Sequence, residues 1–162
     1  MNSDGQHQTE SHDIMTTFPP LEDLIPHRDH MKLVGEILSA DDKSAVTVSV
    51  VRQDWPLVSE TGADPLVMIE TAAQTAAVAI GWKDARETRA GGGWLVGVKS
   101  AEFSVDRVPV GSRIITRAVV AFSLDQYTEI EAECRCGGAP AAAIRLQVMQ
   151  AGDDTASRGD PA

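Results

Sequence analysis

Residues 64–82, DPLVMIETAAQTAAVAIGW, constrain the fold of this 162-residue chain more than any other stretch. Asp64 followed by Pro65 is a helix-start signal: a side-chain acceptor at the cap, then a residue whose missing N–H costs nothing in the first turn. The predicted helix runs about five turns, to Gly81 or Trp82, and carries Val, Met, Ile and Ala at nearly every rotation about its axis. Such a helix has no face to give to water and must be enclosed by other structure. One ionisable side chain, Glu70, stands near its start, and a carboxylate among apolar groups either changes its protonation or finds a partner.

The rest of the chain supplies β-structure to do the enclosing. Residues 32–40 (KLVGEILSA) and 45–52 (AVTVSVVR), separated by DDKS, predict a hairpin with Val46, Val48 and Val50 on one face against Thr47 and Ser49. Upstream, FPPLEDLIPHR contains three prolines and reads as a short helix or irregular lead-in ending at Pro26. After the helix, KDARETRAGGG reads as a loop. WLVGVKSAEFS, SRIITRAVVAF, YTEIEAECRC and AAAIRLQVM then read as strands, the last two joined at Gly137 and Gly138. In the third, Ile130, Ala132 and Cys134 alternate with Glu129, Glu131 and Glu133, the register of a strand with one buried and one charged face. Hairpin, one long helix, then antiparallel strands define an α+β fold in which a sheet wraps the helix.

Composition bounds the function. A hydrophobic content of 43% with 23% charged residues suits one soluble domain, and only 4% aromatics make its core aliphatic and alanine-rich. That domain is expected over residues 16–150, between loose polar tails at 1–15 and 151–162. A formal charge of −10, from 24 acidic and 14 basic residues with no Lys/Arg cluster, disfavours nucleic acid and anionic membrane as partners. It leaves room for an acidic carrier protein on a local basic patch. Cys134 and Cys136 lie two apart on one face of a strand, unsuited to bridging each other. With no secretion signal or membrane span in the pattern, the expected setting is the reducing cytoplasm.

Glu70 and Gln74 are one turn apart, and with Thr71 and Thr75 beside them they draw a narrow polar stripe that reads as the floor of a site. HRDH offers His27, Asp29 and His30 as metal ligands, but no further ligand lies near in sequence and no metal is expected. His30, like His7 and His12 in the tail, reads as solvent-facing. GGGWLVG lacks the spacing of a phosphate loop and leads into a strand, and Ser59 and Ser123 lack a nucleophile elbow. No cofactor is expected.

Three stretches carry a resemblance. LIPHRDHMKLVGEIL is similar to the LPHR segment of 3-hydroxyacyl-acyl-carrier-protein dehydratases, PLVMIETAAQ to their central-helix motif, and VKSAEFSVDRVPVGSRI to their later strand–loop–strand. In order, they cover roughly residues 21–149. The chain most resembles the divergent branch found with aryl-polyene lipid biosynthesis, which also has the LPHR segment and a degenerate loop before the helix. The resemblance implies the hotdog fold, a long helix wrapped by a curved antiparallel sheet, dimerised or in a higher hotdog oligomer with the site at the subunit interface. It implies dehydration of a 3-hydroxyacyl thioester, on acyl carrier protein or coenzyme A, in fatty-acid or polyene-type lipid biosynthesis.

The family's usual catalytic pair is a histidine in a Gly-His-Phe-Pro segment and the helix carboxylate. Here the pre-helix segment DWPLVSETGADP has no histidine. The resemblance therefore assigns the carboxylate role to Glu70 and makes His27, in the matched LPHR segment, the candidate base. Glu70, held protonated by its apolar helix, is then the acid for the 3-hydroxyl. Backbone N–H groups over residues 62–66, from Gly62 to Leu66, are expected to polarise the thioester carbonyl. Gln74 would line the site, and Met68 and Ile69 an acyl tunnel. Arg28, Lys32, Arg86 and Arg89 are candidates to meet the carrier. Two other readings fit: an acyl-thioesterase in which Glu70 activates water, and a non-catalytic subunit of a hotdog heterodimer.

Overall fold

The computed structural model describes residues 17–87 and 93–150. The tails expected at either end and the position of Arg89 lie outside those residues. The chain begins with a single-turn helix, α1 (Leu21–Leu24), and a 3-10 turn at Asp29–Met31. The hairpin β1 (Glu36–Ala40) and β2 (Ser44–Val50) follows, then a short pair, β3 (Val58–Ser59) and β4 (Gly62–Ala63). The long helix α2 (Val67–Glu87) leads into β5 (Gly93–Phe103), β6 (Arg113–Leu124), β7 (Tyr127–Cys136) and β8 (Ala139–Gln150). The six long strands form one antiparallel sheet in the order β1-β2-β6-β7-β8-β5. The predicted α+β arrangement, a long helix wrapped by a curved antiparallel sheet, is the observed one.

The curvature has a local cause. Every ladder of the six-stranded sheet except β2–β6 carries a register shift, at Ile37/Ser39, Val120/Phe122, Cys134/Arg135, and twice along β5. Each bulge bends its strand and raises the local twist, so the sheet curls around the helix. The main core lies in the resulting trough, with Met68, Ala72 and Ala76 of α2 against Ile114, Ile130, Ile144 and Leu146. Ile130, Ala132 and Cys134 point inward, as their alternation with glutamates requires.

A sheet on one side does not enclose a helix that is apolar all round. The other side is closed by the lead-in: Leu24 and Ile25 pack on Val78 and Ala79 together with Ala45. Gly81 makes that closeness possible, since a Cβ there would sit 2.7 Å from the carbonyl oxygen of Leu24. Gly81 is thus a packing glycine and not the helix terminus expected from sequence. The helix continues through Lys83, Asp84, Ala85 and Arg86, residues of mostly good intrinsic helix propensity, to Glu87.

The start of α2 differs in register only. Asp64 Oδ1 accepts the Leu66 N–H at 3.0 Å and its carbonyl accepts the Val67 N–H at 3.1 Å, so the Asp-Pro signal caps the helix as read. In β2 the face toward α2 is the polar one, Thr47 and Ser49, both fully buried, while Val50 on the valine face is 45% exposed. Thr47 is tolerated there because its hydroxyl lies 2.7 Å from that of Thr75 on the helix, and Thr75 donates to the Thr71 carbonyl at 2.6 Å. Burial of the Cys134 side chain raises its thiol pKa despite hydrogen bonds to Thr116 and Thr71, and both cysteines are free. Among the described residues, no helix is long and apolar enough to cross a membrane.

Candidate functional site

β1 starts at Glu36, later than the predicted strand over residues 32–40, and the reason defines the site. The amides of Leu33 and Val34 are taken from the helix side: both donate to Gln74 Oε1, at 3.0 and 3.2 Å. The Gln74 amide nitrogen donates in turn to the Met31 carbonyl at 2.7 Å and to Glu70 Oε1 at 2.8 Å. Gln74 is fully buried with both ends of its amide in use, and its side chain, expected to line the site, points into protein.

With the lead-in held on α2 from both directions, His27 comes to rest over the helix. Its Nε2 lies 3.1 Å from Glu70 Oε1, each side chain 29% exposed. The two residues singled out in the sequence, 43 positions apart, are therefore brought together by the packing of Leu24, Ile25 and Gln74. His27 Nδ1 is buried and, among the described residues, has no hydrogen-bond partner. Glu70 is not sealed in an apolar surround as expected. It sits on a half-buried stripe of α2, and its Oε1 has two polar neighbours.

That stripe floors a groove of about 740 Å³. His27 and Glu70 lie in its wall, Ala73, Ala77 and Gly81 continue along the helix, and Trp94 at the start of β5 stands opposite. The small helix side chains leave the space, and Leu24, Ile25 and Val148 keep it apolar. Asp84, Glu22 and Asp23 also line it.

Other expected contacts fall elsewhere. Met68 is fully buried in the main core, and neither it nor Ile69, Gly62 or Leu66 lines the groove. The helix start does not present an open set of donors for a thioester oxygen. Ala63 N–H bonds the Val108 carbonyl at 2.8 Å, Asp64 N–H the Leu57 carbonyl at 2.9 Å, and Leu66 N–H the Asp64 side chain. The β3–β4 pair and the bridge from Ala63 to Val108 engage them, a tertiary arrangement the loop sequence does not signal. Arg86 pairs with Asp42 at 2.9 Å, and Lys32 pairs with Glu22, which lowers the Glu22 pKa. Arg28, Lys32 and Arg52 share an open cleft of about 840 Å³ with three carboxylates and His30. Among the described residues, no cluster of three or more His, Cys, Asp or Glu side chains is arranged to hold a metal.

A single long helix inside a six-stranded curved antiparallel sheet defines a hotdog-fold protein. The family model described as ApeP dehydratase, of the ApeP-like group, matches residues 19–158. The chain belongs to the ApeP-like dehydratase family. No curated protein sequence matches it. Among solved structures, it is similar to a chain of the dehydratase heterocomplex ApeI:P from Xenorhabdus doucetiae. That match has 21% identity and a TM-score of 0.76 and covers 85% of this chain and 94% of that one. The PaaI protein of the Escherichia coli phenylacetic acid degradation operon matches at 15% identity and TM-score 0.58, over 70% of this chain and 81% of that one. A hypothetical thioesterase with coenzyme A from Streptococcus pneumoniae matches at 10% identity and TM-score 0.58, over 72% and 85%. At these identities the three likenesses establish the shared fold.

Proposed function

We propose that the groove holds a 3-hydroxyacyl thioester, on acyl carrier protein or coenzyme A, and that His27 and Glu70 remove water from it to give the trans-2-enoyl thioester. The observation that carries this reading is the 3.1 Å approach of His27 Nε2 to Glu70 Oε1 at the wall of an apolar groove. Dehydration needs a base for the C2 proton and an acid for the departing hydroxyl, and a pair sharing one proton supplies both. With that proton on Glu70, Nε2 is free to take the C2 proton. The C3–O bond breaks as the Glu70 proton goes to the hydroxyl, and water leaves. The product pair, imidazolium and carboxylate, returns to its starting state when the proton crosses from Nε2 to Oε1. No cofactor enters the balance.

The acyl chain lies along Ala73, Ala77 and Gly81, and a second hotdog subunit pairing on β5 closes the side where Trp94 is 63% exposed. We place the reaction in the cytoplasm, where free cysteines persist. One alternative has a specific support: a similar structure is described as a dehydratase heterocomplex, which fits a role for this chain as one subunit of a mixed hotdog pair. A thioesterase would need Glu70 to activate water and gives the adjacent imidazole no task.

Variants separate these readings. Glu70→Gln keeps the shape and the Gln74 contact but has no proton to give, so kcat is expected to fall about 10²–10⁴-fold with the fold intact by circular dichroism. His27→Gln is expected to fall similarly. Full activity in Glu70→Gln would remove the carboxylate from the mechanism.

A further inference from the structure

His27 hangs on a segment with no regular structure. α1 closes where the Ile25 N–H meets the Leu21 carbonyl at 3.0 Å, Pro26 has no N–H, and the chain then runs free of the sheet to the 3-10 turn. One side chain gathers the backbone carbonyls of this stretch. Arg28 Nη1 donates to Ile25 O and to His27 O, both at 2.8 Å, and Nη2 donates to Glu22 O at 2.9 Å. Gln74 fixes the chain after His27, at Met31, Leu33 and Val34; Arg28 fixes it before and at His27 itself.

Among the described residues, the ring of His27 has no anchor of its own. A histidine working in acid–base chemistry is usually aimed by a hydrogen bond to its second ring nitrogen, and here Nδ1 is buried without one. Its direction toward Glu70 therefore depends on its backbone. We propose that Arg28 is a positioning residue: by holding the carbonyls of Glu22, Ile25 and His27 on one planar guanidinium, it aims the His27 imidazole at Glu70. The proposal rests on the His27–Glu70 reading above and adds the group that holds the pair in register. A guanidinium spans three separated acceptors with donors fixed in a plane, whereas a lysine ammonium offers its donors from a single point. Arg28→Lys keeps the charge and loses the span.

The test uses the full-length protein labelled with 15N at histidine, with His27→Gln to assign the Nε2 resonance. Wild type is expected to show a His27 Nε2 15N shift displaced by the hydrogen bond it accepts from Glu70. Arg28→Gln and Arg28→Lys are expected to lose that displacement, with kcat on a 3-hydroxyacyl thioester down about 10²-fold and KM within about twofold. Full recovery of kcat in Arg28→Lys would show that charge alone matters and would overturn the proposal. So would an unchanged Nε2 15N shift in Arg28→Gln, or a loss confined to KM. If wild type proves inactive on thioesters while the displacement of the Nε2 shift is still lost in both variants, the positioning role stands and the dehydratase reading falls.

Discussion

With its oxygen on the amides of Leu33 and Val34 and its nitrogen on Met31 and Glu70, Gln74 joins a buried helix to a segment that has no sheet partner. Truncating it leaves two amides and a carbonyl without their partner, and each buried group left unmade costs about 1–3 kcal/mol. Gln74→Ala is therefore expected to lose about 3 kcal/mol or more in urea unfolding, and to lose activity through the freed His27 segment. Stability within 1 kcal/mol of wild type, about the size of one net hydrogen bond, would contradict this account. The helical spacing of Glu70 and Gln74 made both legible as a polar stripe. What Gln74 bonds was not legible, because its partners lie 40 to 43 residues upstream and only the folded lead-in brings them across the helix. His27 was legible by its chemistry and its motif, but its distance to Glu70 is a product of packing.

At the scale of elements, the clearest departure from the sequence reading is at Gly81. Glycine near the end of a periodic apolar run signals a helix terminus, yet α2 passes through it for six more residues to Glu87. The glycine serves the contact with α1, which no local pattern reveals. Gly81→Ala would raise helix propensity by about 1 kcal/mol in isolation, but its Cβ would meet backbone at Leu24. We expect a net destabilisation of about 1–3 kcal/mol in thermal melts from overpacking, together with a weakened His27–Glu70 contact as α1 is displaced. A more stable Gly81→Ala protein would show that the close approach is dispensable. Strands were easier to read: alternation identified β7 and the GG turn after it, because side-chain period and turn chemistry are local. The polar inner face of β2 was not, since Thr47 is buried only by virtue of Thr75 across the trough.

Across the whole molecule, the order of elements in the sequence already implied a sheet wrapped on a helix, while the strand order did not follow from it. β5 comes directly after α2 yet forms an edge of the sheet, beside β8, and leaves Trp94, Val96 and Val98 exposed along a free strand. An uncovered strand of this length with apolar side chains invites pairing, which is the physical motive for a second subunit at the mouth of the groove. We propose that this groove, with its histidine–carboxylate pair, performs reversible dehydration. It is tested most directly by incubating the purified protein, alone and with a second hotdog subunit, with 3-hydroxyacyl and trans-2-enoyl thioesters and following both by mass. Loss of water from the first and its addition to the second, with the thioester intact, is the expected result. Release of free thiol with neither hydration nor dehydration would contradict it.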